Sequence, residues 1–368
     1  MKLSGVELRR IRMPLVSPFR TSFGTDVDRE VLLVRVFGDE AEGWGECVAS
    51  AEPLYSAEYV NGAEQVIRDH LLPRLPADVT ARGLGAAFAP VRGHPMAKAA
   101  VEMAVLDAEL RASGLSYAAY LGATRTRVPA GVSVGIMDTL PELLDAVDAY
   151  LAQGYARIKL KIEPGWDLEP VRAVRERFGD ILLQVDANAA YTRTDLRHLA
   201  KLDPFDLLLI EQPLPEEDLL GHARLAEALT TAICLDESIV SARSAADAIT
   251  LGACSIVNVK AGRVGGYLEA RRIHDVCVAH GLPVWCGGML ETGLGRAANL
   301  AFAALPGCTL PGDVSASDRY YTQDITEPFL LRDGMMRVPD GPGLGVEPLP
   351  DVLDDLTESS DTVDLRAR

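Results

Sequence analysis

Charged residues close a series of short apolar segments in the middle of the chain. The acids are Asp186, Glu211 and Asp236, and Lys260 follows them. They are separated by intervals of 25, 25 and 24 residues, which suits one strand plus one crossover helix in a barrel of parallel strands. Three acids at one rim of such a barrel can share a divalent cation, and carboxylate oxygens suit Mg²⁺ or Mn²⁺ better than zinc. Helix caps or salt bridges are the alternative, which the regular spacing disfavours.

Two lysines lie on an earlier apolar segment, which reads A-R-I-K-L-K-I at 156–162. Lys159 and Lys161 are two residues apart and therefore project from the same face of a strand. The apolar residues between them suit the side beneath the helices, so we expect both lysines to point into the barrel. An edge strand guarded by lysines fits poorly with such apolar neighbours. If 131–136 is the first strand, Lys161 on strand two and Lys260 on strand six are opposite in an eight-strand ring.

This arrangement predicts removal of a proton next to a carboxylate. A substrate carboxylate held at the cation would place its α-carbon between two amines. One lysine could then remove the α-proton while the cation stabilises the enediolate, with Lys159 adding positive charge. Return of a proton from the opposite lysine gives racemisation, whereas expulsion of a β-leaving group gives elimination.

The motifs resemble those of the enolase superfamily, and more narrowly of its muconate-lactonising branch. The resemblance is carried, in order along the chain, by K-x-K (159–161), D-x-N (186–188), E-Q-P (211–213), D-E-S (236–238) and N-V-K (258–260). It implies a lysine base acting with one Mg²⁺ per active site, or with Mn²⁺ or Co²⁺ in its place. It assigns roles to eight residues: Asp186, Glu211 and Asp236 as metal ligands, Lys161 and Lys260 as the acid–base pair, Lys159 as electrostatic support, and Asn188 and Glu237 near the metal.

The resemblance also implies an α/β fold, a modified TIM barrel of the (β/α)7β type with an α+β capping domain. Residues 1–125 would form the N-terminal part of the cap and residues 126–318 the catalytic barrel. Residues 319–368 would return to the cap, ending in a surface helix and a frayed tail from Asp351 onwards. The hydrophobic patterns agree in outline, because they predict antiparallel strands at 6–13, 31–37 and 43–47 and a helix at 96–112.

Several residues around the barrel mouth are candidates for contact with a substrate. The turn-rich segment P-F-R-T-S-F-G at 18–24 is predicted to be a loop, in which Phe19 closes over the site or anchors the loop to its own domain. Tyr55 follows a Pro-Leu turn and could face the mouth. Ser133 would point into the barrel from its first strand.

Later segments add further candidates. A glycine-rich turn follows the seventh strand, and it could line the acyl pocket with Gly288, Met289 and Leu290, since glycine lets backbone approach a ligand. The short last strand is expected at 310–315, with Asp313 and Ser315 at the rim. Arg263 lies three residues after Lys260 and either tunes that lysine or forms an ordinary salt bridge.

The last strand also limits the class of substrate that is expected. Dipeptide epimerases of this branch carry D-x-D there to bind an α-ammonium group, whereas D-V-S stands at 313–315. An acylated, uncharged nitrogen is therefore favoured. The resemblance is then to the N-acylamino acid racemases, which implies racemisation of N-succinylamino acids with o-succinylbenzoate synthesis as a second activity. The synthase as main activity, and a dipeptide epimerase or muconate cycloisomerase-type enzyme, are the alternatives.

Composition bears on partners and location. The net charge of −17 over 368 residues argues against nucleic acid as a partner. The charged start M-K-L-S-G-V-E-L-R-R-I-R is unlike a signal peptide, and no apolar stretch is long enough for a bilayer. The six cysteines form no C-x-x-C pair, which predicts reduced core residues of a cytoplasmic enzyme. The expected partner is a small carboxylate substrate, and the resemblance implies a homo-oligomer, an octamer or a dimer.

Two other classes of function remain open at this point. A Schiff-base lyase built on a barrel could use Lys260, but it would leave the three acids without a role. A non-catalytic binding or scaffold role is available to any barrel.

Overall fold

The computed structural model describes residues 1–366. The strands are β1 (Leu3–Thr21), β2 (Gly24–Gly38), β3 (Glu42–Cys47), β4 (Arg127–Pro129), β5 (Gly131–Val134), β6 (Arg157–Lys161), β7 (Leu183–Asp186), β8 (Ile210–Glu211), β9 (Ile233–Leu235), β10 (Ile256–Val259), β11 (Val284–Cys286), β12 (Met335–Arg337) and β13 (Thr357–Asp364). The α-helices are α1 (Val60–Val66), α2 (Ala81–Phe88), α3 (Pro95–Ser113), α4 (Tyr117–Leu121), α5 (Leu140–Gln153), α6 (Leu168–Phe178), α7 (Leu196–Leu199), α8 (Leu219–Ala228), α9 (Ala242–Thr250), α10 (Tyr267–Ala279), α11 (Gly293–Ala303) and α12 (Pro350–Leu356).

The first sheet is antiparallel and has the order β13-β1-β2-β3. The segment 18–24, predicted to be a loop, instead completes β1 and turns directly into β2, with Phe19 opposite Asp26 and Thr21 opposite Gly24. The predicted C-terminal tail is also wrong in part. After α12 the chain forms β13, which pairs with β1 so that Val363 lies opposite Val6.

The second sheet is parallel and curls through β5-β6-β7-β8-β9-β10-β11. Ile158 and Leu160 of β6 are buried, as the expected alternation requires. Pairing sets Lys161 beside Asp186 and Asp186 beside Glu211. The barrel architecture expected from the sequence is therefore confirmed, and its strands deliver the charged residues to one end.

The strand expected at 310–315 does not form as a regular strand. Two isolated parallel bridges take its position, joining Cys308 to Val284 of β11 and Gly312 to Ala130. Pro311 has no backbone N–H to donate, which limits a continuous ladder. The segment still lies between the two ends of the curled sheet, since the amide of Asp313 donates to the carbonyl of Cys286 at 2.9 Å.

The six cysteines are free and buried, as the sequence predicted. None of the helices formed within residues 1–366 combines the length and the apolar character that crossing a membrane requires.

Helix α3 packs unusually close to β3 because both elements present small residues at the contact. Gly43 and Gly45 share one face of β3, and Ala100 and Ala104, four residues apart, share one face of α3. A Cβ atom added to Gly45 would lie 2.0 Å from the carbonyl oxygen of Ala100. The glycine therefore allows the helix to cover the capping sheet.

Gly45→Ala should destabilise the protein by about 1–3 kcal/mol, because the added methyl group overpacks a rigid backbone contact. Gly85→Ala is the matched control, since a Cβ at this exposed position in α2 meets no atom within 4 Å. It should raise stability by about 0.5–1 kcal/mol through its higher helix propensity. Urea denaturation measures both changes, and equal stability of Gly45→Ala and wild type would contradict the close packing.

Candidate active site

Strands β6 to β8 bring two lysines and two acids into contact inside the barrel. Lys159 Nζ lies 3.0 Å from Glu211 Oε2 and 3.4 Å from Asp186 Oδ2. Lys161 Nζ lies 2.7 Å from Asp186 Oδ2. All four side chains are buried. Because β6 lies between β5 and β7, the edge-strand alternative is excluded and the lysines point inward as expected.

A second group of charges surrounds Asp236 and Lys260, which follow β9 and β10. Lys260 Nζ lies 2.7 Å from Asp236 Oδ2 and donates to the hydroxyl of Tyr55 at 3.1 Å. Arg263 contacts Asp236 Oδ1 at 2.8 Å and donates to three backbone carbonyls nearby. Of the two interpretations of Arg263, the salt bridge is the one observed.

Burial and nearby charge set the protonation of the acids. Burial alone would raise the pKa of Asp186, but Lys161 and Lys159 lower it to about 2. Burial and the negative charge of Asp186 raise the pKa of Glu211 to about 8 in spite of Lys159. The pKa of Asp236 is lowered, because Lys260 and Arg263 outweigh its burial. The acids therefore repel one another and depend on nearby positive charge.

The donor set fits a divalent cation that prefers oxygen. Asp186, Glu211 and Asp236 offer carboxylates without competing sulfur or imidazole ligands. Asp236 Oδ2 is buried and makes no aligned hydrogen bond, although Lys260 is close to it. The carboxylates are turned towards the lysines, and no three His, Cys, Asp or Glu side chains within 1–366 already surround a common point. Their role as ligands therefore stays a prediction.

Asn188 and Glu237 lie beside these acids, where the resemblance placed them. Asn188 Oδ1 accepts from Lys161 Nζ at 2.6 Å, and its Nδ2 donates to Glu237 Oε1 at 2.9 Å. The backbone of Asn188 has φ +42°, a left-handed conformation that Asn tolerates better than most residues. Burial and the charge of Asp236 raise the pKa of Glu237 to about 7.

One cavity of about 610 Å³, counted out to its open mouth, receives the three lysines. It is also lined by every residue that the sequence suggested for substrate contact: Phe19, Tyr55, Ser133, Asn188, Gly288, Met289, Leu290 and Asp313. Ser315, expected at the rim, is instead buried and does not line the cavity.

Asp313 holds Lys159 in place. It accepts from Lys159 Nζ at 2.5 Å and from Arg157 Nη2 at 2.8 Å, and these cations lower its pKa against the effect of burial. Sequence reasoning missed Arg157. Its signal was present, because residues 157, 159 and 161 share one face of β6.

The hairpin between β1 and β2 closes one side of the cavity. Phe19 packs edge-on against Tyr320, with ring centroids 6.0 Å apart. The carbonyl of Arg20 accepts from the amide of Ile136, and Ser22 Oγ donates to the carbonyl of Ala187 at 3.1 Å. Phe19 is therefore both anchored and part of the cavity wall.

The cavity is also lined by Phe23, the second aromatic residue of the segment 18–24, and by five residues that sequence reasoning missed: Thr21, Asp26, Arg29, Ser50 and Tyr320. Asp26 and Arg29 lie in the polar first half of β2, which reads G-T-D-V-D-R-E at 24–30, so no local signal separates them from the other charged residues there. Tyr320 follows a 3-10 turn in the C-terminal segment and carried no local signal.

Glu46 joins the capping sheet to the turn that lines the cavity. Its carboxylate accepts from the amide and hydroxyl of Thr292 at 3.0 and 2.7 Å and from the amide of Gly295 at 3.0 Å. These donors stand at the start of α11, where backbone N–H groups lack helical partners. The turn containing Leu290 ends at this contact, so β3 helps to hold it.

A parallel barrel covered by a capping sheet, with lysines and acids facing one cavity, defines the class. The chain belongs to the enolase superfamily. The family described as "Enolase C-terminal domain-like" matches residues 142–352, and "Mandelate racemase / muconate lactonizing enzyme, N-terminal domain" matches residues 5–122. Enzymes of this superfamily use a divalent metal ion.

Individual relatives are similar over nearly the whole chain. The N-succinylamino acid racemase of Amycolatopsis sp is 69% identical over 360 residues, covering 97% of this chain and 98% of the relative. The o-succinylbenzoate synthase of Geobacillus kaustophilus is 47% identical over 351 residues, covering 93% and 92%. Among solved structures, a member of the enolase superfamily from Listeria innocua Clip11262 gives a TM-score of 0.95 at 39% identity, covering 100% of both chains.

The contact of Glu46 generates a pH prediction. Burial raises its pKa from 4.5 to about 7, although Thr292 donates to it. A raised carboxyl pKa means that its contribution to stability is complete below pH 4.5 and is lost as the pH rises through 7. Glu46→Gln cannot titrate, so the stability of wild type relative to the variant should fall by up to about 3 kcal/mol between pH 4.5 and 7.5. Urea denaturation across this range measures the difference, and parallel pH curves would contradict it.

Proposed function

We propose that this chain racemises N-acylamino acids, above all N-succinylamino acids, by moving a proton to and from the α-carbon with two lysines. The observation that carries the proposal is the placement of Lys161 and Lys260. Both line the cavity; Lys161 is the last residue of β6 and Lys260 follows β10, and three strands separate β6 from β10. An α-carbon between the two amines could lose a proton on one face and regain one on the other.

The metal ligands in this proposal are Asp186, Glu211 and Asp236, and Mg²⁺ is the ion that their oxygens fit best. When bound, the ion would supply positive charge for the substrate carboxylate and for the enediolate that forms from it. Each ligand would then exchange a lysine contact for the ion. The raised pKa of Glu211 supports the proposal, because it indicates a shortage of positive charge among these carboxylates.

The protein's own residues divide the remaining work. Lys161 is aimed by Asp186 and Asn188, at 2.7 and 2.6 Å. Lys260 is aimed by Asp236 and Tyr55. Lys159 stays charged, since its pKa is raised by Asp313, Glu211 and Asp186 against the effect of burial. It can therefore stabilise an anion without acting as a base.

The second candidate is o-succinylbenzoate synthesis, which the name of the Geobacillus relative favours. This dehydration needs one base and the same stabilised enediolate, so the lysines and acids proposed for racemisation would serve it as well. A dipeptide epimerase is disfavoured, because Ser315 stands where a second acid would be needed and does not reach the cavity. A Schiff-base lyase is disfavoured because the chain belongs to the enolase superfamily, whose enzymes use a divalent metal ion.

The location, assembly and domain limits proposed from the sequence stay proposals. Six free, buried cysteines support a reducing compartment such as the cytoplasm. A homo-oligomer, octamer or dimer, and domains at 1–125, 126–318 and 319–368, complete the proposal.

Lys161→Ala and Lys260→Ala should each lower racemisation of an N-succinylamino acid by about 10³-fold or more, because each removes one of two proton carriers. In D₂O, each variant should still exchange the α-proton of the one enantiomer that the remaining lysine serves. Proton NMR on both enantiomers measures exchange, and chiral chromatography measures racemisation.

Lys201→Ala is the matched control, since this lysine is exposed outside the cavity, and it should keep wild-type activity. Full racemisation by either cavity variant would remove the two-lysine mechanism. Trapping of a covalent substrate adduct by borohydride would instead support the Schiff-base alternative.

Removal of divalent ions by EDTA should abolish activity, and Mg²⁺ should restore it. Asp186→Asn should weaken Mg²⁺ binding by more than about 100-fold, since even groups outside the ligand set are commonly worth 10–100-fold. Titration calorimetry of the metal-free protein with Mg²⁺ measures this without substrate. Asp247→Asn, an exposed change on α9, is the control, and unaltered binding by Asp186→Asn would exclude Asp186 as a ligand.

A further inference from the structure

Arg29 carries a buried positive charge that the protein does not neutralise by direct contact. It lies on β2, is 4% exposed and lines the cavity. Its Nη1 and Nη2 atoms donate to the carbonyls of Ala49 and Val48 at 2.9 Å each, and Nη1 also reaches the carbonyl of Glu30 at 3.4 Å. Its Nε is buried without a partner. No carboxylate of residues 1–366 lies within 4.0 Å of this guanidinium, so the charge is solvated by carbonyl dipoles alone.

The other buried arginines differ from Arg29. Arg157 and Arg263 each contact a carboxylate at 2.8 Å. Arg296 and Arg319 donate only to carbonyls, as Arg29 does, but neither lines the cavity. Among the described residues, Arg29 is therefore the buried arginine that combines an unmatched charge with access to the substrate space.

The lysines of the cavity already have acidic partners on the barrel side. Lys159 contacts Asp313, Lys161 contacts Asp186 and Lys260 contacts Asp236. Arg29 instead lies on the capping sheet. Its positive charge therefore faces the cavity from a different part of the fold than Lys161 and Lys260 do. A ligand whose first carboxylate is held by the metal ion of the proposed site, and whose second anionic group lies on a chain of several atoms, could reach Arg29 as well.

We infer that Arg29 binds the distal carboxylate of the acyl group and selects dianionic substrates, such as N-succinylamino acids, over N-acyl substrates with a neutral tail. This inference rests on the proposed function and names the recognition element for its acyl chain. The contact would be a charge-assisted hydrogen bond from Nε or Nη to a carboxylate, which is stronger than one between neutral groups.

Two features of the structure offer competing roles for Arg29. Asp26 also lines the cavity, and the charge of Arg29 partly offsets the rise that burial causes in its pKa. Arg29 also clamps residues 48–49, and Val48 packs against Gly262, two residues after Lys260. A role limited to Asp26 or to this clamp would not distinguish between acyl tails.

The test compares N-succinyl-L-phenylalanine with N-butyryl-L-phenylalanine, which has the same acyl length and no distal charge. Arg29→Met should raise KM for the N-succinyl substrate by about 10- to 100-fold, the value of a hydrogen bond to a charged group. Its kcat should change by less than about threefold, and KM for the N-butyryl substrate by less than about twofold, because binding and not chemistry is affected. Arg29→Lys should show a smaller loss confined to the N-succinyl substrate, since it keeps the charge without the planar fork.

Two control variants separate the competing roles. Arg319→Met removes a buried arginine that does not itself line the cavity but supports its wall, through the carbonyl of Ser133 and the rings of Phe19 and Tyr320. Because this support does not involve the acyl tail, the variant should change KM for both substrates by the same factor. Asp26→Asn should leave the preference for the N-succinyl substrate intact. If Asp26→Asn reproduces the Arg29→Met pattern, the preference for the N-succinyl substrate depends on Asp26 and not on Arg29, and the inference is overturned.

Failure of the inference and failure of the proposed function give different results. A wild-type protein that exchanges the α-proton of neither substrate refutes the proposed function. A wild-type protein that acts equally well on both substrates, or equal losses on both in Arg29→Met and Arg29→Lys, refutes the role of Arg29 while leaving the racemase intact.

Discussion

The structure depends on neutralising several charges that are buried inside the barrel. Each acid of the trio lies close to a lysine or arginine, and each lysine of the site lies close to an acid. Removing one partner of such a buried pair costs several kcal/mol, because the other charge stays behind uncompensated. Strand register is therefore tied to charge. A shift of β6 by one residue would turn Lys159 and Lys161 towards the helices and bring Ile158 and Leu160 against the acids.

That constraint explains why so much of the barrel could be predicted from the sequence. Acids at two successive intervals of 25 residues can gather where the carboxyl ends of parallel strands meet, and a K-x-K pair in a buried apolar strand faces the interior. Elements that depend on distant pairing were harder to predict. The segment T-E-S-S-D-T-V-D has little apolar periodicity, and it becomes β13 because the edge of β1 accepts it. Likewise, the turn residues at 18–24 do not distinguish a loop from the end of a long hairpin.

The same distinction applies to the site. Residues whose role follows from their own strand, such as Lys161 and Asp186, could be identified locally. Arg29 and Glu46 could not, because their importance comes from what they meet: one reaches the cavity, and the other reaches the start of a helix some 250 residues away. Pro311 is the opposite case, because its local effect could be read from the sequence. A proline disfavours a regular strand at 310–315, and the structure has only isolated bridges there.

The cavity divides chemistry from recognition along the boundary between the two sheets. The barrel contributes the lysines and acids to which the proposed mechanism assigns the proton transfer. The hairpin of β1 and β2 contributes Phe19 and Arg29 to the cavity wall, and the C-terminal segment contributes Tyr320. Racemisation and dehydration can therefore use the same barrel residues, since both reactions begin with removal of the same proton. Which of them occurs then depends on the molecule that the cap admits, and a change in the cap can alter that choice without disturbing the buried charge pairs on which the barrel depends.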